Sequence, residues 1–292
     1  MWLLKVVRPQ IILGGFLGYL LGVLLALPHA GIINFSMIMI GYVIVLFCDL
    51  STHFSNDLYD VESDAYASTK VFGHKNYLVD KPFLIPAARL MAVTCTLLSI
   101  SFSVVALTLG APFILLLITI VANIIGWLYS APPVRLSSRG FGEMVIALGT
   151  GLGVPSTGYL MVAGRFDVNQ LTIMLPLVLY GFILSLSLEL PDASSDYFFK
   201  KMNLVVRLGR NASCTLILLS GLTAPILWIL LSQFSTISVT NIIICSLPPT
   251  ISSLYCYRRR RDDKSIIKVS KVNVLSLFIF LIAINGWLLF QL

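Results

Sequence analysis

The sequence predicts an all-α membrane protein, a bundle of nine transmembrane helices that forms a single domain over residues 1–292. The first observation behind this prediction is composition, since 58% of the residues are hydrophobic and only 11% are charged. A soluble domain has about 25% charged residues, so this chain has too few to cover a water-exposed surface. The mean hydropathy of +0.93 agrees. We therefore expect the lipid bilayer to surround nearly the whole chain.

The second observation is the number of long apolar runs, because a helix needs about 20 apolar residues to cross the hydrocarbon core of a bilayer. Nine such runs occupy residues 10–28, 31–53, 84–108, 111–131, 141–163, 170–189, 212–233, 237–256 and 272–291. The first run is longer than the roughly 7–15 apolar residues of a signal peptide, so we expect it to remain as a helix. Its glycines Gly14, Gly18 and Gly22 predict close helix packing. Pro248 and Pro249 predict a kink or a break in the eighth run.

Orientation follows from the basic residues, which concentrate in the cytoplasmic loops of membrane proteins. If the N-terminus is inside, every Lys and Arg except Arg165 lies at the cytoplasmic ends of the nine runs. We therefore expect a multi-pass protein of the cell membrane with a cytoplasmic N-terminus and a C-terminus outside. The net charge of +7 then reflects topology, and we expect no nucleic-acid partner.

The third observation is an acidic motif at the end of the second run, Asn56-Asp57-x-x-Asp60-x-x-x-Asp64. Steps of three and four residues bring Asp57, Asp60 and Asp64 onto one face of a helix. Glu62 lies about 200° from Asp60 around the same helix, so we expect it to be solvated. The motif predicts a carboxylate face at one mouth of the bundle.

A second acidic motif, Asp192 and Asp196, follows the sixth run, and Glu189 shares its face. Both runs point in the same direction, so we expect both motifs at the cytoplasmic mouth of one central cavity. Their carboxylates would repel each other unless a divalent cation lay between them. Oxygen ligands of this kind suit Mg²⁺, which usually bridges to substrate phosphates. The two motifs therefore predict a membrane enzyme that handles a diphosphate with Mg²⁺ as cofactor.

Two more polar residues, Asp49 and His53, lie on the same helical stripe, deeper in the second run. A charged side chain at the centre of the bilayer costs roughly 2.5–3.5 kcal/mol, so this stripe must face the bundle interior. We expect His53 to be a hydrogen-bonded interior histidine rather than a metal ligand. Asp49 would either contact substrate or pair with a polar group on another helix.

The membrane location favours a substrate with a hydrocarbon tail, and an allylic prenyl diphosphate combines such a tail with a diphosphate. Mg²⁺ makes the diphosphate a good leaving group, and aromatic side chains can shelter an allylic cation from water. We expect the substrate cavity to include Asp49, His53, Asn123, Tyr129 and Glu189. The candidates for diphosphate contacts are Lys201, Arg207, Lys70 and Lys75. Each of these could instead be only a topology charge, but Lys201 and Arg207 are favoured because they directly follow the second motif.

The acidic motifs resemble the signatures of the UbiA superfamily of intramembrane prenyltransferases. Residues 56–64 are similar to the first signature, and residues 189–196 contain the D-x-x-x-D of the second. Residues 201–209 resemble the family's G-K-x-T-L-x-V-R-L-G continuation, and residues 123–133 and 140–143 also fit the family pattern. The resemblance covers nearly the whole chain and agrees with nine helices.

The resemblance implies roles for individual residues. The Mg²⁺–diphosphate would be bound by Asn56, Asp57, Asp60, Asp64, Asp192 and Asp196, the five aspartates being the catalytic carboxylates. Lys201 and Arg207 would assist the phosphates. The chain departs from the family pattern at Lys200, where the family has glycine, and at Asn203, where it has threonine.

The loop after Asp64 resembles one branch of the family more than the others. It lacks the R-x-x-R-P element of the hydroxybenzoate, haem and archaeal ether-lipid branches and has Gly-His-Lys at residues 73–75 instead. With the Val-Arg-Leu-Gly ending at residues 206–209, it resembles the branch that prenylates 1,4-dihydroxy-2-naphthoate in menaquinone synthesis. This resemblance implies transfer of a polyprenyl group to an aromatic quinone precursor.

Two other functions stay open at this point. The acceptor could be geranylgeranylglyceryl phosphate, which would give an ether-lipid enzyme with the same chemistry. A secondary transporter can also carry buried acids, but its coupling acids are expected near the bilayer midplane. Both motifs here lie at the ends of their runs beside basic loops, which favours capture of a diphosphate.

Overall fold

The computed structural model describes residues 9–30, 33–66, 76–231 and 238–291. Every regular element in these ranges is helical, and they contain no β-strand. The helices are α1 (Pro9–Ala26), α2 (Phe35–Tyr59), α3 (Val61–Tyr66), α4 (Tyr77–Asp80), α5 (Ile85–Thr108), α6 (Ile114–Ser130), α7 (Gly142–Leu148), α8 (Val154–Ala163), α9 (Val168–Glu189), α10 (Ala193–Phe198), α11 (Leu204–Leu208), α12 (Arg210–Leu231), α13 (Val239–Arg258) and α14 (Ile266–Phe290). The predicted all-α class is confirmed.

Within the described ranges, eight helical segments are long and apolar enough to cross a membrane. One of them, Gly142–Ala163, joins α7 to α8 through the π-helical turn Gly149–Gly153. The predicted run 111–131 instead forms α6, an apolar helix of 17 residues, which extends over about 26 Å at 1.5 Å per residue. The described chain therefore has eight long spans and one shorter apolar helix where nine equivalent spans were predicted.

The eighth predicted run differs from expectation because α13 continues through Pro248 and Pro249. Thr250 Oγ1 donates to the carbonyl oxygen of Ser246 in the same helix and to that of Gly221 in α12, both at 2.9 Å. Pro225 deprives the Gly221 carbonyl of its helical N–H donor, so the Thr250 hydroxyl compensates for the proline of α12, as membrane helices allow. Because α13 is continuous from Val239 to Arg258, the predicted break is wrong, whereas the alternative of a kink stays a prediction.

The glycine stripe of α1 brings this helix close to α8 and α14. A Cβ atom at Gly22 would collide with the carbonyl group of Pro155 in α8. A Cβ atom at Gly14 would lie 3.6 Å from the ring of Phe278 in α14. Small residues at such positions let two helix backbones approach closely, so the predicted close packing is confirmed.

Two apolar cores anchor the helices that lead into the acidic motifs. The larger core lies among α9, α12, α13 and α14, where the rings of Tyr180, Trp228 and Phe280 have centroids 4.8–5.4 Å apart. A second core joins α1, α2, α5, α6 and α8. Each motif therefore extends from a helix, α9 or α2, that is fixed by packing along its length.

The segments that follow α2, α6 and α9 meet at one end of the bundle, which we call the motif end. Lys201 Nζ, after α9, lies 3.4 Å from Asp60 Oδ2, after α2. The backbone N–H of Met202 donates to the carbonyl oxygen of Ser138, between α6 and α7, at 3.2 Å. Both acidic motifs therefore lie at the same end of the bundle, as predicted. That this end faces the cytoplasm stays a prediction.

Candidate active site

The first acidic motif contains a turn that the sequence did not predict. Helix α2 ends at Tyr59 and α3 begins at Val61, so Asp60 lies between them with φ −101° and ψ 8°. Ser63 Oγ donates to the Asp60 carbonyl oxygen at 3.1 Å, and such local side-chain bonds compete with regular helix. The Asp64 N–H still donates to the same carbonyl at 2.8 Å. The predicted single helical face is thus interrupted at Asp60 but keeps nearly helical hydrogen bonding.

Two distant segments hold the first motif in place. Asn56 Oδ1 accepts a hydrogen bond from Ser130 Oγ at the end of α6, at 2.6 Å. The carbonyl oxygen of Asp57 accepts one from Asn76 Nδ2 at 2.7 Å, and both residues are 1% exposed. Asn76 Oδ1 in turn accepts from the N–H of Leu78 at 3.0 Å and caps α4. Asn76 was not among the predicted residues, and a short asparagine cap gives only a weak sequence signal.

The side chains of the second motif are bridged by Asn203, which follows the motif closely in the sequence. After α9, a 3₁₀ turn (Leu190–Asp192) leads into α10, where Asp196 is 3% exposed. Asn203 Nδ2 donates to Glu189 Oε2 at 2.8 Å and to Asp196 Oδ2 at 2.7 Å. Asn203 Oδ1 accepts from the N–H of Val206 at 2.8 Å and caps α11. Asn203, one of the two departures from the family pattern, therefore bridges two acids of the site.

Lys201 lies between the two motifs. Its Nζ atom is 3.4 Å from Asp60 Oδ2, 3.8 Å from Asp196 Oδ1 and 4.0 Å from Glu189 Oε2. Burial lowers the pKa of this ammonium, but the carboxylates of Glu189, Asp60 and Asp196 outweigh burial, so its pKa is well above its usual value. Burial also raises the pKa of the Asp60 carboxyl, against the opposing effect of Lys201. A cation therefore lies where acids from both motifs converge.

In the part of the chain that the structure describes, no group of three or more His, Cys, Asp or Glu side chains is arranged to hold a metal ion. The expected cation position between the motifs is instead taken by the Lys201 ammonium. Its neighbours are carboxylate oxygens, which are ligands that Mg²⁺ prefers. The donor atoms therefore fit Mg²⁺, while their spacing is set by a lysine.

Glu143 is a further residue of this site, and the sequence presented it only as part of a family-like stretch. It is 2% exposed at the start of α7, and its Oε1 atom accepts a hydrogen bond from the N–H of Leu204 at 2.6 Å. Leu204 follows Asn203 at the start of α11. Glu143 therefore fixes the backbone next to Lys201 and Asn203. The sequence signal that could have identified it is an acidic residue at the start of an apolar run.

The other predicted site residues have different surroundings. Tyr129 is buried and lies within electrostatic reach of Glu189, Lys201 and Asp60. Arg207 is exposed, and its Nε atom donates to the carbonyl oxygen of Met202 at 2.8 Å. Tyr129 is thus close to the acids, whereas the Arg207 guanidinium is engaged by its own loop. Lys70 and Lys75 lie outside the described residues.

Asn123 belongs to the packing of three helices. Its Nδ2 atom in α6 donates to Ser99 Oγ in α5 at 2.9 Å and lies 3.2 Å from Cys48 Sγ in α2. It also donates to the Thr119 carbonyl oxygen at 2.8 Å. These contacts give Asn123 a cross-linking position between helices, and its predicted role in the substrate cavity stays untested.

Asp49 and His53 form a pair within α2. His53 Nε2 lies 3.3 Å from Asp49 Oδ1. His53 thus lies within ion-pair distance of a carboxylate, and its predicted hydrogen bond stays a prediction. Asp49 pairs with a polar group of its own helix rather than of another helix.

Comparisons with known proteins show the family of the chain. The sequence model of the UbiA prenyltransferase family matches residues 16–289. The comparison with curated protein sequences gave no match.

Among solved structures, a UbiA homolog from Archaeoglobus fulgidus bound to DMAPP and Mg²⁺ has a TM-score of 0.71 at 18% sequence identity, over 96% of this chain and 98% of that chain. The same homolog bound to GPP and Mg²⁺ has a TM-score of 0.63 at 18% identity, over 98% of each chain. A structure of digeranylgeranylglyceryl phosphate synthase has a TM-score of 0.66 at 18% identity, over 99% of this chain and 98% of that chain.

The structural likenesses, at this low identity, establish a shared fold. The family match extends over nearly the whole chain and includes both acidic motifs and the segment with Lys201. The predictions of a multi-pass membrane protein and of a prenyl-transferring enzyme are therefore confirmed. The chain belongs to the UbiA prenyltransferase family.

Proposed function

We propose that this enzyme catalyses the Mg²⁺-dependent transfer of a prenyl group from an allylic polyprenyl diphosphate to an aromatic quinone precursor that resembles 1,4-dihydroxy-2-naphthoate. The observation that carries the proposal is the position of Lys201 Nζ, within 3.4 Å of Asp60 and 3.8 Å of Asp196. Acids from both motifs thus converge on one cation. A diphosphate with its counter-ions would bind at this point.

The residues of the two motifs have separate tasks in this proposal. Asn56, Asp57, Asp60, Asp64, Asp192 and Asp196 would hold Mg²⁺ with the diphosphate. When bound, Mg²⁺ would supply neutralisation of the charge that develops on the leaving diphosphate. Lys201 would donate hydrogen bonds to the same oxygen atoms, because its ammonium is already held between the motifs. The fold shared with the Archaeoglobus fulgidus homolog bound to DMAPP and Mg²⁺ supports this assignment.

Three further basic residues are proposed to contact the diphosphate on weaker grounds. Lys70 and Lys75 follow the first motif in the sequence, and Arg207 follows the second. Arg207 would have to leave the carbonyl oxygen of Met202, which its Nε atom now contacts at 2.8 Å. Its contribution is therefore expected to be smaller than that of Lys201.

The choice of acceptor rests on the loop after Asp64 and on the Val-Arg-Leu-Gly ending at residues 206–209. An electron-rich ring would attack the allylic carbon and then lose a proton or, for a ring carboxylate, carbon dioxide. The likeness to a digeranylgeranylglyceryl phosphate synthase favours geranylgeranylglyceryl phosphate as the second candidate. Both acceptors use the same diphosphate site.

The experiment is an acceptor panel. Purified protein in lipid nanodiscs would be incubated with Mg²⁺, prenyl diphosphates of several lengths, and either the naphthoate or geranylgeranylglyceryl phosphate, with products identified by mass spectrometry. We expect a prenylated naphthoate. Use of geranylgeranylglyceryl phosphate alone would overturn the acceptor and leave prenyl transfer intact. Absence of diphosphate release with every pair would overturn both proposed acceptors and the proposed diphosphate site.

The motif end is proposed to face the cytoplasm, because the basic residues flank the runs on that side. Ser195→Cys lies at the motif end, and Arg165→Cys lies between α8 and α9 at the other end. In sealed cells, a background that lacks the native cysteines should allow an impermeant thiol reagent to label position 165 and not position 195. The opposite labelling pattern would reverse the orientation.

A further inference from the structure

A polar pair, Asp49 and His53, lies in the membrane-spanning part of α2 and precedes the first acidic motif by about one helical turn. His53 Nε2 is 3.3 Å from Asp49 Oδ1, and the two side chains are 17% and 31% exposed. Both residues belong to the span Phe35–Tyr59. Both side chains are therefore partly exposed, although they lie within a helix long and apolar enough to cross the membrane.

The pair shares a face with Asp60. At 100° per residue, Asp60 is about 20° from Asp49 and about 20° from His53 around the helix axis. Phe47 and Ser51, which contact α5, each lie about 160° from Asp49. Because Asp60 contacts Lys201 from the second half of the chain, this face points into the bundle. Exposure of a charged residue to lipid would be costly, so the space beside the pair is interior space.

The depth of the pair matches the position of a prenyl acceptor. At 1.5 Å per residue, His53 lies about 10 Å from Asp60 along the helix, and Asp49 about 16 Å. A diphosphate held at Asp60 would place the reacting carbon of the prenyl chain on the inner side of the motif. The attacking atom of the acceptor would lie about 3–3.5 Å from that carbon. A hydroxyl group on the acceptor then falls at the depth of His53.

We propose that His53 is the base that accepts the hydroxyl proton of the prenyl acceptor, and that Asp49 orients its ring. The inference rests on the proposed prenyl transfer and adds the group that activates the acceptor. Because Asp49 Oδ1 lies 3.3 Å from Nε2, it favours the tautomer with the proton on Nε2, which leaves the lone pair of Nδ1 available for the proton, as in other carboxylate–imidazole pairs. The acceptor is accordingly a molecule with an ionisable hydroxyl group.

With an aromatic acceptor, one proton moves to His53 and one prenyl group moves to the ring. The hydroxyl proton moves to His53 Nδ1, and a ring carbon forms a bond to C1 of the prenyl chain while the C1–O bond breaks and its electron pair leaves with the diphosphate. A ring carboxylate is then lost as carbon dioxide, and the resulting phenoxide takes the proton back from His53. If the attacked carbon carries hydrogen, that hydrogen moves to the ring oxygen instead, and His53 passes its proton to the diphosphate.

The competing interpretation is a structural pair, since oppositely charged residues four apart stabilise a helix by a few tenths of a kcal/mol. A structural pair would affect stability and every step of catalysis together. A base for the acceptor would affect only the transfer step, and its loss would matter less as the acceptor hydroxyl becomes more acidic. These two readouts separate the interpretations.

The experiment compares His53→Gln and Asp49→Asn with wild type in nanodiscs that contain Mg²⁺. The matched control is His29→Gln, because His29 lies outside α2 and contacts Gln170. One assay follows transfer to naphthols of graded hydroxyl acidity. A second follows ionisation without acceptor, as exchange of ¹⁸O between the bridging and non-bridging positions of the prenyl diphosphate. We expect transfer to fall roughly a hundredfold or more in His53→Gln, with unchanged isotope exchange and recovery with the most acidic acceptor.

Asp49→Asn should show a smaller loss with the same recovery, and His29→Gln should match wild type in both assays. An equal loss of exchange and transfer, or a loss that does not depend on acceptor acidity, would overturn the role of His53. Wild-type transfer rates in His53→Gln would overturn it as well. If the wild-type protein shows neither exchange nor transfer, the proposed function fails and not merely this inference.

Discussion

The two acidic motifs are supported in different ways. The first depends on distant segments, since Asn56 contacts Ser130 and the backbone of Asp57 contacts Asn76. The second combines an internal bridge, in which Asn203 donates to Glu189 and Asp196, with distant contacts from Glu143 and Ser138 to the segment that follows it. The second motif also brings the only cation found between them in the described residues, Lys201, which reaches Asp60 of the first. Helix packing therefore positions both motifs, and the second adds an internal bridge through Asn203 and the lysine that reaches the first.

The largest loss of activity is expected for substitutions of the aspartates that both motifs are proposed to contribute to Mg²⁺ and diphosphate binding. Asp60→Asn and Asp192→Asn keep side-chain size but remove a charge from the set proposed to hold Mg²⁺ and diphosphate. Stabilisation of the leaving diphosphate is worth several kcal/mol, so we expect kcat/KM to fall roughly a hundredfold or more in each variant. Steady-state prenyl transfer measures this loss. EDTA should abolish wild-type activity, and added Mg²⁺ should restore it.

Glu62→Gln is the control for this prediction. Glu62 is an acid of the same region, but it is exposed in α3, so its loss should change kcat/KM little. If the two Asn variants turn over prenyl diphosphate at rates close to wild type, the role of both motifs in binding Mg²⁺ and diphosphate is wrong.

Lys201→Gln should have the next largest effect, because it removes the cation that joins the motifs. Hydrogen bonds to charged groups contribute about 1.5–3 kcal/mol, which corresponds to roughly a tenfold to hundredfold loss in kcat/KM. The loss should appear mainly as a higher KM for the prenyl diphosphate. Lys200→Gln is the matched control, since Lys200 is exposed beside it. Equal KM values for the two variants would contradict a diphosphate contact from Lys201.

Asn203→Ala tests whether the second motif is held by its own stretch. The change leaves Glu189 Oε2 and Asp196 Oδ2 without the amide that now donates to both. Removal of one partner of a buried hydrogen bond costs about 1–3 kcal/mol, so the free energy of unfolding should fall by that amount. Asn203→Thr, which carries the family's residue, should lose less because its hydroxyl can still cap α11. Identical unfolding curves for Asn203→Ala and wild type would show that this bridge contributes nothing.

The sequence predicted features that depend on spacing and missed those that depend on packing. Apolar runs located the long helices, and steps of three and four residues located the acids. No local pattern could indicate that Lys201 lies beside Asp60, because 141 residues separate them and helix packing alone brings them together. The turn at Asp60 and the continuous helix through Pro248 were missed for a related reason. Residue spacing carries no signal for the φ and ψ of Asp60, and a proline can either break a membrane helix or remain within it.

Asn76→Ala should have the smallest effect of these changes and would measure the dependence of the first motif on a distant segment. It removes one hydrogen bond to the carbonyl oxygen of Asp57 and the cap of α4, whereas Asp57 keeps its place in α2 through the helix itself. We expect the free energy of unfolding to fall by about 1 kcal/mol, and kcat/KM to fall less than in Asn203→Ala. Ser130→Ala, which removes the contact to Asn56, should behave similarly. If Asn76→Ala lowers activity more than Asn203→Ala does, the site depends more on the distant contact of the first motif than on the Asn203 bridge.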